Sequence, residues 1–251
     1  AVQLPSALGA ALANETLGAL IQHAAWEELR SRKGQVTRST CWYTRGGCRC
    51  DYTYGTSRVK SSRACSREFR DAMERLLSHI CGRLCPSLPR DAWPNCANLN
   101  LYASEAEMVG WHADDESLFL GREEDCPMIS VSLGATREFW LALRREGDRG
   151  EPQLHSVVEV DLAHGDILIM EGLCQKHCLH FVPSGLPASP PVPGADAWGG
   201  GADAAPRINV TWRWIRQHRP RCPRGGSAPE CGRPPPLASM QPRRRLYVAR
   251  W

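Results

Sequence analysis

The sequence predicts an α+β protein in which a double-stranded β-helix, or jelly roll, follows two N-terminal helices. Residues 15–30 and 66–84 carry apolar side chains at helical spacing, with Asn14 and Ser66 as N-caps. From residue 98 onward, short strand-like segments are separated by turn residues. Near the end of these segments, one stretch alternates strictly between polar and apolar residues, which is typical of a strand with one polar face.

Eight segments carry the strand pattern, namely 98–102, 109–113, 128–133, 137–143, 156–161, 166–170, 178–182 and 207–215. Eight short strands fit the two sheets of a jelly roll. The stretch 37–60 is rich in Thr, Tyr, Cys and Gly and predicts further short strands and turns.

Charge is divided unevenly along the chain, although the net charge is only +4. Residues 219–251 hold eight arginines and one acid, which leaves 23 basic and 26 acidic residues, a net charge of −3, in residues 1–218. Within that body, residues 30–70 carry eleven Lys or Arg against Asp51 and Glu68. Basic blocks at both ends predict a polyanionic partner, and a solvated basic face is the alternative.

The composition also indicates where in the cell the protein is located. No apolar run approaches the roughly 20 residues of a membrane span. No signal peptide is visible, although the chain begins at Ala1 and a leader could have been removed. The 12 cysteines are irregularly spaced, which indicates reduced thiols and an intracellular protein. We expect a monomer in the nucleus or cytoplasm, with organelle targeting left open.

The strict alternation is the run Arg207-Ile-Asn-Val-Thr-Trp-Arg213. On a strand, Arg207, Asn209, Thr211 and Arg213 share one face. Two arginines on a face that looks into a pocket suit a dicarboxylate, because each guanidinium can bind a carboxylate through two hydrogen bonds.

A metal triad is the second candidate feature. His112 and Asp114 are two residues apart and project to one side of a strand, and a later histidine would complete the set of two histidines and one carboxylate found in non-haem Fe(II) oxygenases. His177 and His180 compete for that place, since their odd spacing puts them on opposite faces. A second His-x-Asp, His164-Gly165-Asp166, is interpreted as a turn before a buried strand.

Cysteine spacing raises the question of zinc. Cys48-Arg-Cys50, with Cys41 nearby, invites a structural site, but its spacing is tighter than the usual C-x2–4-C. The pairs Cys81/Cys85 and Cys174/Cys178 stand four apart. Reduced structural thiols are therefore the favoured interpretation, and zinc is the less favoured alternative.

Six motifs occur in an order that resembles the AlkB-like Fe(II)/2-oxoglutarate dioxygenases, and in particular their nucleic-acid dealkylating branch. They are Asn98-Leu-Asn-Leu-Tyr102, Trp111-His-Ala-Asp-Asp-Glu116, Ile129-Ser-Val-Ser-Leu-Gly134, Ala163-His-Gly-Asp166, His180-Phe-Val-Pro183 and Arg207-Ile-Asn-Val-Thr-Trp-Arg213. In that branch the metal-binding histidine lies shortly before a proline, which favours His180 over His177.

The resemblance implies a role for each matching residue. His112, Asp114 and His180 would bind Fe(II). Five residues would bind the cosubstrate 2-oxoglutarate: Asn100, Tyr102, Arg207, Asn209 and Arg213. Arg207 would pair with its distal carboxylate and Arg213 with the end that chelates iron. Four residues would contact the substrate base, namely Tyr52, Tyr54, Asp115 and Glu116.

The resemblance also implies a division of the chain and a reaction. Residues 1–97 would form helices and a nucleotide-recognition lid, and 98–218 the dioxygenase core. Composition, rather than the resemblance, predicts a low-complexity insert at 183–206 and a basic, disordered tail at 219–251. The reaction would use O2 to demethylate N-alkylated bases in DNA or RNA, converting 2-oxoglutarate to succinate and releasing formaldehyde, as in repair of DNA damage.

Residues 30–70, called the basic stretch below, are expected to supply contacts with the substrate. A flipped-out base is usually held between aromatic or apolar side chains, and the aromatic candidates are Trp42, Tyr43, Tyr52, Tyr54 and Trp111, of which Trp111 is the one expected to lie in the core. The candidates for phosphate contacts are Arg45, Arg49, Arg58, Lys60 and Arg63. Packing in a strand core is the alternative for the aromatic group.

Other functions remain open at this point. A dioxygenase of the same fold acting on a protein or small molecule would not need the basic stretch. A silent nucleic-acid-binding module would not need the triad together with both arginines. A sugar- or metal-binding jelly roll leaves Arg207 and Arg213 unexplained.

Overall fold

A computed structural model of the chain describes residues 1–4, 6–30, 36–54, 57–60, 65–145, 147, 150–184, 205–224 and 246–247. The strands are β1 (Val2–Leu4), β2 (Glu27–Arg30), β3 (Val36–Thr44), β4 (Tyr52–Tyr54), β5 (Ser57–Val59), β6 (Cys96–Tyr102), β7 (Val109–His112), β8 (Met128–Gly134), β9 (Arg137–Leu143), β10 (Val158–Leu162), β11 (Ile167–Met170), β12 (Cys178–Val182), β13 (Arg207–Arg213) and β14 (Leu246–Tyr247). The α-helices are α1 (Ala10–His23), α2 (Arg67–Leu84) and α3 (Cys174–His177).

Two antiparallel sheets form the core, which confirms the predicted jelly roll. The larger sheet has the strand order β14-β1-β11-β8-β13-β6-β3-β2, and the smaller has the order β10-β9-β12-β7. Strands β4 and β5 form a separate two-stranded hairpin. All eight predicted strands are present, with ends that shift by up to two residues.

Strand β13 lies at the centre of the larger sheet, paired with β6 on one side and β8 on the other. Every one of its residues is buried. The side chains of Ile208, Val210 and Trp212 belong to the hydrophobic cluster that also contains residues of α1 and α2. The polar residues of β13 therefore face the other way, into the space between the two sheets, as the alternation predicts.

The predicted helix at 66–84 is confirmed as α2. The hydroxyl of Ser66 accepts a hydrogen bond from the backbone N–H of Phe69 at 3.1 Å. The apolar face of α2 is buried against the outer side of the larger sheet, and its most enclosed members are Phe69, Met73, Leu76, Leu77 and Ile80. The residues of this face recur at helical spacing in the sequence, so the sequence pattern agrees with the face that is buried.

The predicted boundaries of the first helix are wrong. Helix α1 runs from Ala10 to His23, with Gly9 rather than Asn14 at its N-cap position. Residues Glu27–Arg30, which were expected to be helical, form β2 and pair with β3. Pairing at the edge of the sheet prevails over a weak helical pattern in this stretch.

Several expectations fall partly outside the described residues. Of the predicted insert at 183–206, positions 185–204 lie outside them, and so do 225–245 and 248–251 of the predicted tail. The first residues of that tail, 219–224, are described, and Cys222 among them is buried. The eleven cysteines of the described part are free thiols. None of its helices is long and apolar enough to cross a membrane.

Replacing Ser66 with alanine removes the side-chain cap of α2. We expect Ser66→Ala to lower the free energy of unfolding by about 1 kcal/mol, because one N–H of the first turn loses its partner. Denaturant unfolding measures this loss. Ser66→Asp, which keeps an acceptor, should retain most of the stability, and an equal loss in both variants would contradict a capping role.

Candidate active site

His112 and His180 are brought together by strand pairing. They are directly opposite each other where β7 pairs with β12, and their ring centroids are 4.0 Å apart. Asp114 follows β7 by two residues, and one potential ligand atom from each of the three side chains lies within 4.8 Å of the others. The structure thus gathers three residues that are up to 68 positions apart in the sequence, His112 to His180.

Asp114 is held from two directions. Its backbone N–H donates to the Oε1 atom of the buried Gln175 at 3.0 Å, and its carboxylate accepts from Nη2 of Arg213 at 2.9 Å. Burial alone would raise the pKa of Asp114, but the charge of Arg213 outweighs burial and holds this pKa below its ordinary value. The carboxylate is therefore ionised at neutral pH.

Both histidines are neutral. Burial, followed by repulsion from His112, lowers the pKa of His180 to about 3, and burial also lowers the pKa of His112. The Nδ1 atom of His112 lies 2.8 Å from the carbonyl oxygen of Gly110. A neutral imidazole that donates from Nδ1 in that contact keeps a lone pair on Nε2 for a metal ion. Two neutral imidazoles and one carboxylate are the donor set that suits non-haem Fe(II).

The competing histidines lie elsewhere. His177 is exposed at the end of α3. His164 stands in the predicted turn, where Gly165 has a φ of +83°, and its Nδ1 accepts from the backbone N–H of Gly134 at 2.9 Å. Of the three histidines considered, His180 is therefore the one that lies beside His112 and Asp114.

The polar face of β13 lines the cavity between the sheets, together with the triad. Arg207 is only 1% exposed, and its Nη2 atom donates to Oγ of Ser132 at 3.1 Å. Its Nε and Nη1 atoms are buried without a hydrogen-bond partner, and its guanidinium lies 5.2 Å from the ring centre of Tyr102. Burial, with nearby Arg137 adding repulsion, lowers the pKa of Arg207 to about 10.

Arg213 lies at the other end of the same face, beside Asp114. Burial alone would lower the pKa of Arg213, but Asp114, Tyr52 and Glu116 together raise it above its ordinary value. Its Nε atom is buried and unpaired, and its guanidinium stands 5.1 Å from the ring centre of Phe119. The two arginines thus differ: Arg213 is already neutralised by the triad, while Arg207 is a buried cation.

Hydrogen bonds between neighbouring strands fix the remaining cavity residues. Asn209 donates to Oγ of Ser130 at 2.6 Å and accepts from the Thr211 hydroxyl at 2.8 Å. Asn100 accepts from Nε of Arg38 at 2.9 Å. These contacts hold the amides in set orientations, which a ligand with several oxygens requires.

Sequence reasoning missed four residues of this site. Arg38 and Ser130 line the cavity, Ser132 binds Arg207, and Gln175 holds Asp114. The alternation in Ile129-Ser-Val-Ser-Leu133 carried a usable signal for the two serines, because it matches the pattern of β13. The roles of Arg38 and Gln175 depend on contacts between distant parts of the chain.

Tyr52 forms one wall of the cavity. Its hydroxyl donates to Oε1 of Glu116 at 2.7 Å, and its ring stacks on Trp42 with centroids 4.9 Å apart. Burial and the charge of Asp114 raise the pKa of Glu116 to about 7. Strand β4 includes Tyr54, whose side chain lies outside the described residues.

The structure shows the surroundings of four other candidate residues. Trp42 and Tyr43 are buried in the two hydrophobic clusters, so the core-packing alternative is confirmed for them. Trp111, expected in the core, is half-buried and stacks on Phe181. Asp115 is not among the residues that line the cavity, and Arg122 and Arg144 bind its largely buried carboxylate at 2.9 and 3.2 Å.

The expected phosphate contacts are also reduced in number. Arg45 pairs with Glu74 at 2.9 Å and Arg58 with Asp51 at 2.6 Å. Arg49 and Lys60 are exposed, and Arg63 lies outside the described residues. The basic stretch therefore offers fewer uncompensated charges than its composition indicates.

The residues present fit Fe(II) and 2-oxoglutarate. The donor set suits the metal, and the unpaired guanidinium atoms of Arg207 and Arg213 fit the oxygens of a dicarboxylate. Buried polar groups almost always have partners, so orphaned donors on one cavity wall point to a missing anion.

A family comparison agrees with this geometry. Residues 1–213 match the family model of the 2OG-Fe(II) oxygenase superfamily. The chain belongs to this superfamily, whose cofactor is Fe(II) and whose cosubstrates are 2-oxoglutarate and O2.

Among curated proteins, the chain is similar to AlkB homologues. It is 37% identical over 118 residues to the bovine "Alpha-ketoglutarate-dependent dioxygenase alkB homolog 3", which covers 46% of this chain and 35% of that protein. It is 30% identical over 145 residues to the human "DNA oxidative demethylase ALKBH2", covering 57% of this chain and 46% of that protein. The chain therefore spans a third to a half of the length of these relatives.

Among solved structures, OsALKBH1 shares the fold. It aligns with a TM-score of 0.52 at 21% identity, covering 84% of this chain and 96% of that one. At this identity the likeness concerns the fold alone.

His180 and His177 provide a matched test of the triad. We expect His180→Ala to weaken metal binding by about 100-fold or more, since even outer-shell partners contribute 10–100-fold. His177→Ala should bind metal as the wild type does, because His177 is exposed and belongs to neither the cavity lining nor the triad. Anaerobic Fe(II) or Mn(II) titration measures both, and the reverse ranking would show that the triad is misassigned.

Proposed function

We propose that this protein is an Fe(II)/2-oxoglutarate-dependent demethylase of N-alkylated bases in DNA or RNA, with a role in repair. The observation that carries the proposal is a single buried cavity that joins the His112–Asp114–His180 cluster to the unpaired donors of Arg207 and Arg213. The similarity to alkB homolog 3 and to ALKBH2 supports nucleic acid as the substrate class.

The triad would hold Fe(II) on one side and leave the remaining positions open. When bound, Fe(II) with 2-oxoglutarate and O2 supplies the oxidising power to hydroxylate an N-methyl group, while 2-oxoglutarate becomes succinate and CO2. The hydroxylated methyl group is a hemiaminal, which releases formaldehyde and leaves the unmodified base.

The side chains of the larger sheet would place the cosubstrate. Arg213 would bind the carboxylate end nearest the metal, because it already contacts Asp114 at 2.9 Å. Arg207 would bind the distal carboxylate, which would satisfy its two orphaned donors. Asn100, Tyr102 and Asn209 line the space between these ends and would orient the cosubstrate through hydrogen bonds.

Tyr52 and Glu116 would define the substrate side. Tyr52 is part of the cavity wall, and Trp42 and Phe119 pack behind it and limit its movement. Glu116 accepts from the Tyr52 hydroxyl at 2.7 Å, so its carboxyl would lie beside this wall, where it would hydrogen-bond the substrate base. Tyr54, two residues further along β4, is proposed as a further contact with the flipped base that such chemistry requires.

Methyl removal tests the proposal directly. Short oligonucleotides carrying 1-methyladenine or 3-methylcytosine, in DNA and RNA, are incubated with Fe(II), 2-oxoglutarate and O2 and analysed by mass spectrometry. We expect methyl loss with the wild type and none with Asp114→Ala. Succinate formed without methyl loss would keep the dioxygenase and move the substrate to a protein or small molecule, while a folded, iron-loaded protein that forms no succinate would refute the enzyme.

Arg207→Met should produce two opposite effects. Affinity for 2-oxoglutarate should fall by about tenfold or more, since hydrogen bonds to charged groups contribute about 1.5–3 kcal/mol. The unliganded protein should become more stable by about 1 kcal/mol or more, because a buried and partly unpaired cation is removed.

Calorimetric titration with Mn(II) in place of Fe(II), and thermal unfolding without ligand, measure the two effects of Arg207→Met. Arg207→Lys, which keeps the charge but loses the forked donors, should be intermediate in affinity. Unchanged binding of 2-oxoglutarate in Arg207→Met would contradict the assignment.

A further inference from the structure

A second cluster of metal-binding side chains lies outside the active site. It consists of Cys48 and Cys50, in the loop between β3 and β4, and His218 and Cys222, in the segment after β13. The three cysteines are buried and His218 is half-buried. Among the described residues, this cluster and the active-site triad are the two places where three or more such side chains converge.

The distances within the cluster are those of a tetrahedral zinc site. The Nδ1 atom of His218 lies 3.6 Å from Sγ of Cys48, 3.7 Å from Sγ of Cys50 and 3.5 Å from Sγ of Cys222. The Sγ atoms of Cys48 and Cys222 are 3.8 Å apart. Zinc bonds to sulfur and nitrogen require tetrahedral edges of about 3.6 Å for S···N and about 3.8 Å for S···S.

Backbone N–H groups support all three sulfurs. Cys48 accepts from the N–H of Cys50 at 3.4 Å, Cys50 from that of Arg219 at 3.3 Å, and Cys222 from that of Arg49 at 3.3 Å. Donors aimed at each sulfur stabilise thiolates and orient them, as outer-shell hydrogen bonds do in metal sites. A chance gathering of thiols would not require one donor for each.

We propose that Cys48, Cys50, His218 and Cys222 bind one Zn2+ ion as a structural site. Soft thiolates with one imidazole select zinc, whereas the triad of two imidazoles and a carboxylate suits iron, so one chain would hold the two metals in separate places. Four protein ligands close the coordination sphere, which is the mark of a structural rather than a catalytic zinc.

The position of the site gives it a consequence for the cavity. Cys50 precedes Tyr52 by two residues, and its carbonyl oxygen accepts from Nε1 of Trp42 at 2.8 Å. His218 follows Arg213 by five residues. The ion would therefore link the segment that leads into Tyr52 to the segment that follows Arg213. These two residues are also in contact, since the Tyr52 hydroxyl lies 3.4 Å from Nη1 of Arg213.

The tertiary structure corrects the ligand set expected from spacing. Cys41 lies on the opposite side of β3, in the cluster beneath α1 and α2, and is not a ligand. The closely spaced Cys48 and Cys50 supply only two of the four ligands. The other two, His218 and Cys222, lie 168–174 residues away in the sequence.

Metal analysis tests the site without any activity measurement. The full chain is purified without chelators and its zinc is measured by mass spectrometry, next to Cys222→Ser, Asp114→Ala and Cys174→Ser. We expect one zinc per chain in the wild type, in Asp114→Ala and in the matched control Cys174→Ser. Cys222→Ser should retain less than about a tenth, since thiolate ligands carry structural zinc affinity. Zinc lost from Asp114→Ala but kept in Cys222→Ser would overturn the proposal.

Cobalt substitution covers the case in which Cys222→Ser fails to fold. Wild-type protein stripped of metal and titrated with Co2+ should develop thiolate-to-cobalt charge-transfer bands and strong tetrahedral visible bands, which the thiolate-free triad cannot produce. Stripping should also lower the melting temperature by about 5 °C or more, restored by Zn2+. A folded protein without these bands, or a disulfide joining Cys48 to Cys222 in peptide mapping, would overturn the site.

Discussion

The buried ion pair between Arg213 and Asp114 connects the two sheets, and the geometry of the cavity depends on it. Arg213 belongs to the central strand of the larger sheet, and Asp114 follows the edge strand of the smaller one. Removing both charges from water is costly, and a single contact rarely compensates for it. The pair is maintained because Asp114 is also bound by Gln175 and lies beside two imidazoles, while Arg213 packs on Phe119 and contacts Tyr52.

The other buried arginines of the cavity give it a positive charge that suits an anionic ligand. Arg207 and Arg38 are both buried on the same inner face as Arg213, and Asp114 neutralises only one end of that face. A protein that folded for stability alone would place apolar side chains at such positions. We propose that the buried charge of Arg207 is kept for ligand binding at a cost in folding free energy, as is typical of functional sites.

Much of this arrangement was predictable from local pattern. The alternation of β13 predicted its strand, its polar face and its partner chemistry, and the spacing of His112 and Asp114 placed them on one side. Prediction failed where the outcome depended on competition between weak local signals, as in residues 27–30, which pair with β3 rather than extend α1. The sequence also left open the surroundings of side chains such as Asp115 and Trp42, because residues elsewhere in the chain set them.

By itself, the sequence determined the two-sheet fold, the inward face of β13 and the kinds of residue available for a metal and a dicarboxylate. These follow from side-chain alternation and spacing, which are properties of a single strand or helix. Only the tertiary structure decided that His180 rather than His177 meets His112, and that Cys48 and Cys50 meet His218 and Cys222. Such pairings join segments tens to more than a hundred residues apart, and their positions are fixed by strand register and core packing, which no local pattern encodes.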